Sequence, residues 1–366
     1  MDFRETIKEN IFEKYSDKIE KNAEKYGYDQ EVKTILKIVI PVVIQYYAEK
    51  LENYEQAEKL ILDNLENIHI VKSQMGDSLK EISDTYLPEN FEKIEQANIV
   101  SEDVLNRASG FYASVPEFKK EDGEIFIQGI KRLLVYKSYG GKNKEAELGM
   151  LIHEMGHSIK GFVKEFNIQK KDNKTILLER SGLIETNYEV LNEKDKIILK
   201  LISEKNVGLE EGIQALEEEE LMNRILYHKT QNKHQLPKEC QEYLDLIEIE
   251  KYKTKGYSIQ KTIANELLKE SGLERRVAKQ QLLAKGNIEQ EYNSKFESEE
   301  NHWQKLNERI DESVRMTYDK FSNIFNLDQW KKENGEREKE NLNAIGAEIR
   351  EYQENRRKIE AEEIIK

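Results

Sequence analysis

Glu147 to Phe162 reads ELGMLIHEMGHSIKGF. Leu148, Leu151, Ile152, Met155 and Ile159 recur at three- and four-residue spacing, the period of an α-helix laid against a core. On such a helix, residues four apart differ by one turn plus about 40°. His153 and His157 therefore leave the same face, with imidazoles close enough to share one ion. Glu154 stands beside them, and Met155, Gly156 and Ser158 are neutral. Two of only six histidines in 366 residues are thus concentrated on one turn. Gly149 and Gly156 each cost a helix interior about 1 kcal/mol relative to alanine. They make sense where another backbone or a bound molecule must come close.

The string His153-Glu154-Met155-Gly156-His157 is the HExxH motif, and in it the chain resembles the zincin metallopeptidases. The resemblance implies that His153 and His157 bind Zn²⁺ and that one position of the tetrahedral ion stays open for water. It also implies that Glu154 acts as general base toward that water and then as proton donor to the leaving amine. Position 163 is Val, and His228, His234 and His302 fall outside the short HExxHxxGxxH spacing, which excludes the metzincin subclass.

Leu209-Glu210-Glu211-Gly212-Ile213 resembles the LNEG-hydrophobic segment of gluzincins, in which the glutamate before glycine binds zinc. That match assigns the third ligand to Glu211, which follows His157 by 54 residues, with Glu210 and His228 as alternatives. Read without the resemblance, Glu210, Glu211 and the run Glu217 to Glu220 are an acidic solvated helix. Gluzincins often place an aspartate four residues after this ligand to hold a histidine, whereas position 215 is Ala. A carboxylate from elsewhere, or a backbone carbonyl, must serve instead. Candidates for polarising the scissile carbonyl are Tyr188, Tyr227, His228, Tyr252 and Tyr257.

Outward from the motif, the texture before it is β-like. GFYASVPEF and GEIFIQGI are short, aromatic and β-branched, and the turn-forming KKEDG between them predicts a hairpin. EIFIQG is either an ordinary core strand or an edge strand that pairs with an extended peptide above the histidine helix. The helix itself should begin near Asn143, after Gly140 and Gly141. Beyond it, KTILLERSGLIETNYEVL has strand-like segments around Ser181-Gly182, while DKIILKLIS fits a strand or a helix. From Asp2 to about Ile70, and again from Gly208 onward, helical periodicity dominates. ILKIVIPVVI, Ile35 to Ile44, is the most hydrophobic run, but a bilayer span needs about 20 apolar residues. It predicts a buried helix carrying Pro41.

The net charge of −14 argues against a nucleic-acid binder, since phosphate affinity comes from clustered Lys and Arg. Cys240 is the only cysteine, so no intramolecular disulfide forms, which fits a reducing compartment. MDFRETIKENIFEKYSDKIEKN has no apolar signal-like core, and the cytoplasm is the expected location. The expected class is α+β: a zincin-like region over 73–230 with a small sheet on the HExxH helix. Helical regions are expected over 1–72 and 231–330, with a charged helical tail over 331–366. The tail's apolar residues, among them Leu342, Ile345 and Ile349, look too sparse to pack, which suits an exposed arm for a protein partner. The function expected is hydrolysis of a peptide or protein substrate by a zinc-activated water. Zinc-assisted hydrolysis of another bond is the rival within enzymes, and a catalytically silent zincin-fold binding protein is the rival outside them.

Overall fold

The computed structural model describes residues 11–74, 77, 82, 85, 91–94, 110–121, 124–139, 143–162, 165–171, 174–193, 196–254, 257–270, 272–322 and 326–365. The chain is a mixed α+β protein, and its contacts divide it into two compact units. The first comprises Met1–Leu87, Ala108–Phe162 and Glu217–Thr254; the second comprises Pro88–Arg107, Val163–Leu216 and Lys255–Lys366. Gly140, Gly141 and the turn residues Asp122-Gly123 lie outside the described residues.

The first unit opens with four helices, α1 (Ile11–Lys14), α2 (Ser16–Tyr26), α3 (Gln30–Leu51) and α4 (Tyr54–Glu66). Asp29 caps α3 by accepting from Val32 N at 2.8 Å, and Asn53 caps α4 by accepting from Gln56 N at 3.0 Å. The apolar run of α3 is buried from Ile35 through Ile44, with Pro41 inside the helix. No helix among the described residues is long and apolar enough to cross a membrane.

Strand β1 (His69–Gln74) runs parallel to the second half of a hairpin, and β2 (Phe91–Ile94) belongs to the other unit. The hairpin is β3 (Gly110–Glu121) against β4 (Glu124–Ser138), paired from Gly110↔Tyr136 to Glu121↔Glu124 as the turn chemistry predicted. The strand order is β1-β4-β3. β4 is therefore central where it meets β1, along Leu133–Ser138, and EIFIQG is its outer half. β3 is an edge strand along its whole length, and EIFIQG, which pairs with β3 alone among the described residues, is an edge on its other side. Both hairpin strands and α4 pack against helix α5 (Lys144–Phe162), which carries the histidines.

Asn143 Oδ1 accepts from Ala146 N at 3.3 Å and so begins α5 where the sequence places its start. Glu147, fully buried, then ties the first turn to the end of β4 by accepting from Tyr139 N at 2.7 Å and Ser138 Oγ at 3.0 Å.

The second unit holds a sheet of order β2-β8-β7-β6-β5, made with β5 (Glu165–Lys171), β6 (Lys174–Ser181), β7 (Ile184–Glu193) and β8 (Lys196–Lys205). KIILKLIS, the described part of DKIILKLIS, is thus a strand. The β6–β7 turn is Gly182-Leu183, just after Ser181, and glycine supplies its left-handed φ of +61°. Helix α6 (Val207–Gln231) is continuous, its first part grouped with the second unit and its part from Glu217 with the first. Then come α7 (Lys238–Asp245) in the first unit and α8 (Ser258–Asn265), α9 (Glu274–Leu283), α10 (Ile288–Asn293), α11 (His302–Ser322) and α12 (Leu327–Ile365) in the second.

The charged tail is not a solvated arm. Ile345, Ile349 and Tyr352 of α12 are buried in one cluster with Trp303, Leu306 and Ile310 of α11, and Leu342 packs beside them. Spaced 3, 4 and 3 residues apart, Leu342, Ile345, Ile349 and Tyr352 form a narrow helical stripe, sufficient to seat one helix on another.

Candidate metal centre

The two histidines of α5 leave the helix together, as their spacing requires. Their Nε2 atoms are 3.2 Å apart, and the rings meet nearly edge-on at 4.9 Å between centroids. Two nitrogen ligands of a tetrahedral ion, each about 2.0–2.1 Å from it, stand about 3.3–3.4 Å apart. His153, His157 and Glu211 form one group whose ligating atoms all lie within 4.8 Å of one another. Two imidazole nitrogens and a carboxylate oxygen are the donor set that suits zinc while leaving a coordination position open.

Glu210 does something else. Adjacent helix residues point about 100° apart, and the Glu210 carboxylate is turned to Leu183 N at 2.9 Å and Gln281 Nε2 at 2.8 Å. It fastens the β6–β7 turn and α9 to the start of α6, and it is 1% exposed. Gly212 has its own cause: a Cβ there would run into the backbone carbonyl of Gln260 in α8. The glutamate pair in LEEGI is therefore split between a packing role and a place in the group that could hold a metal ion.

The start of α6 is capped from outside. Asp311 of α11 accepts from Asn206 N at 3.0 Å and Gly208 N at 2.7 Å, one turn before Glu211. Asn206 takes a left-handed φ of 64° to allow this. Burial pushes the Asp311 carboxyl up to about 6 against an ordinary 3.8, the two backbone N–H bonds holding it back from a larger rise.

Position 215 is Ala, and the carboxylate that meets a histidine of the pair is Glu218. Its Oε2 accepts from His153 Nδ1 at 3.1 Å. With Nδ1 carrying the proton, the lone pair of His153 lies on Nε2, the atom facing His157. Seven residues along a helix amount to nearly two turns, so Glu211 and Glu218 share one face of α6. Glu210 and Glu217 share the next. Glu217 accepts from Lys160 Nζ at 2.8 Å and from the Tyr47 hydroxyl at 3.0 Å, joining α6 to α5 and α3. The seven-residue recurrence of Glu-Glu is the signal of this shared face in the sequence, inside what otherwise looks like a solvated acidic run.

Glu154 is 7% exposed, and the first residue of β3 lies against it. A Cβ on Gly110 would meet the Glu154 and Met150 side chains and the Val135 carbonyl, so only glycine lets the edge strand pass this close. On the opposite side of α5, Met155, Ser158 and Ile159 face Ile40, Ile61, Leu65 and Leu134. Asn64 Nδ2 donates to Ser158 Oγ at 2.8 Å there.

The remaining candidates separate by place. Tyr227 and His228 lie 16 and 17 residues beyond Glu211 on the same helix, about 25 Å along its axis at 1.5 Å per residue. That distance removes His228 as an alternative ligand; it instead meets the edge of Phe12 and the amide of Asn232. Tyr188 is buried within β7, and Tyr257 precedes α8 with a left-handed φ of 49°. Tyr252 donates its hydroxyl to Glu218. No protein-family model matches the chain, and no curated protein or solved structure is significantly similar to it.

Proposed function

We propose that this chain is a zinc-dependent peptidase of the zincin type, with the third ligand arranged as in gluzincins. The observation that carries the reading is the convergence of His153, His157 and Glu211 into one ligating group, with Glu218 holding the proton of His153 on the far nitrogen. Zinc bound by these three residues would supply a Lewis acid and bring the pKa of its water toward about 7.

The residues of the chain do the rest. Glu154, one position after the first ligand, takes a proton from the attacking water and returns it to the amine nitrogen of the departing product. Its side chain is shielded from bulk solvent, 7% exposed, beside the two histidines. Glu218 keeps His153 in the tautomer that presents Nε2. Edge strand β3 starts beside Glu154 and offers backbone N–H and C=O groups along its outer side, the groups by which an extended peptide adds to a sheet. That strand favours a peptide over other hydrolysable substrates, and an intact Glu154 favours an enzyme over a silent scaffold.

Glu154→Gln tests the reading. The amide keeps the size of the side chain but cannot accept the proton. Cleavage in a peptide-library digest should fall by about 10²–10⁴-fold while bound zinc and the unfolding transition stay as in the parent protein. Undiminished cleavage by this variant removes the mechanism.

A further inference from the structure

Gly149, expensive in a helix interior, finds its explanation in a segment far along the chain. A Cβ at Gly149 would overlap the phenol of Tyr252 and press on the Glu218 carboxylate. The Tyr252 hydroxyl donates to Glu218 Oε1, and the Thr254 hydroxyl donates to Glu218 Oε2 at 3.1 Å. The backbone of Tyr252 is gripped from both sides by one amide: Tyr252 N donates to Asn223 Oδ1 at 2.9 Å, and Asn223 Nδ2 donates to Tyr252 O at 3.0 Å. Thr254 N donates to Glu219 Oε2 at 3.3 Å. Residues Tyr252–Thr254 thus form a strap fastened along α6, with two hydroxyls on the carboxylate that meets His153.

We propose that this strap is a positioning device for the metal centre: Tyr252 and Thr254 fix the rotation of the Glu218 carboxylate and thereby the ring of His153. The inference rests on the zinc-site reading above and adds to it residues that touch neither metal nor substrate. A carboxylate held only by His153 Nδ1 could rotate about its last side-chain bond. Two further donors, one on each oxygen, leave it a single orientation. The bond to Oε1 matters more, because that oxygen faces away from the imidazole, and without the phenol it would be a buried acceptor lacking this donor. Burial and the neighbouring Glu218 charge keep the Tyr252 phenol far above its ordinary pKa, so it stays a donor. This also removes Tyr252 from the candidates for polarising the scissile carbonyl, since its hydroxyl is already committed.

The test is zinc affinity by competition with a chromogenic chelator, on the full chain, for the parent protein, Tyr252→Phe, Thr254→Val, Gly149→Ala, Glu218→Ala and the double variant Tyr252→Phe/Glu218→Ala. Loss of a residue that orients a ligand typically weakens metal binding about 10–100-fold. Tyr252→Phe should weaken zinc about tenfold, Gly149→Ala similarly by displacing the phenol, and Thr254→Val by less. In the Glu218→Ala background, Tyr252→Phe should add no further loss, because the group it positions is gone. The visible absorption bands of the cobalt-substituted protein should shift in Tyr252→Phe and be indifferent to that change in the Glu218→Ala background. Urea unfolding of the metal-free variants separates this from general damage, since destabilisation alone would persist with Glu218 absent. A Tyr252→Phe protein with parental zinc affinity and cobalt spectrum overturns the strap and leaves the metal site standing. A parent protein that binds no zinc overturns the site itself.

Discussion

Helices α5 and α12 bury their side chains in opposite ways. Helix α5 buries Glu147, His153, Glu154, Ser158 and Lys160 alongside its apolar residues. Its polar groups have partners from other elements: Ser138 and Tyr139 for Glu147, Glu218 for His153, Asn64 for Ser158 and Glu217 for Lys160. Helix α12 is far richer in charge, yet what it buries is chiefly a stripe of hydrocarbon, Ile345, Ile349 and Tyr352. Glu348 is its buried charged residue, held to His302 of α11 at 2.6 Å. A helix that presents chemistry must have its buried polar groups satisfied one by one, because each orphan costs about 1–3 kcal/mol. A helix that only packs needs a narrow apolar stripe and can be charged everywhere else.

The comparison breaks most visibly at α12. Removing residues after Trp330 strips Ile345, Ile349 and Tyr352 from the core they share with α11. Each comparable truncation of a buried side chain costs about 2–5 kcal/mol, and domains typically have about 5–15 kcal/mol in total. The truncated protein should therefore lose cooperative unfolding of the second unit, read by urea titration with tryptophan fluorescence from Trp303. A soluble truncation with an unchanged transition would show that the stripe contributes little.

At α5 the sensitive element is charge. Lys160 is 1% exposed and faces Glu217. Lys160→Met leaves that glutamate buried beside Tyr47 without its cation and should cost about 3–5 kcal/mol. Lys160→Met/Glu217→Leu should recover most of the loss, because replacing both partners by apolar groups removes the uncompensated charge. A single variant as stable as the parent would mean that the pair is solvated.

The smallest effect is at the cap of α6. The Asp311 carboxyl titrates at about 6 in the fold and at an ordinary 3.8 when unfolded. The folded state therefore binds the proton more tightly, and its contribution to stability grows as pH falls and is lost as pH rises through 6. Between pH 7 and pH 5 the metal-free parent should gain about 1 kcal/mol relative to Asp311→Asn, which cannot titrate there. Parallel pH profiles for the two proteins would contradict the burial of this carboxylate.

Much of this was legible in the residues, for stated reasons. The α5 helix, the β3–β4 and β6–β7 hairpins and the pair His153–His157 follow from local period and turn chemistry, which the chain writes within a few residues. Glu211 was reachable only through the resemblance of LEEGI to a known segment. Glu218 sits inside a run of four glutamates and is set apart there only by its seven-residue spacing from Glu211. Tyr252 was legible as a candidate but not in its role, because its partners lie about 30 and 100 residues away in sequence (Glu218 and Gly149). The packing of α12 is hard to read from the residues because its stripe ends in Tyr352 and is surrounded by charge, so regularly spaced apolar positions look sparse.

The central claim is that two histidines of α5 and Glu211 of α6 hold one zinc. The direct measurement is metal content by mass spectrometry of the purified chain and of three variants, after dialysis against a weak chelator. About one zinc per chain is expected for the parent, none for His153→Ala or His157→Ala, and a strongly reduced amount for Glu211→Ala. A metal-free parent, or stoichiometric zinc surviving in Glu211→Ala, would contradict it.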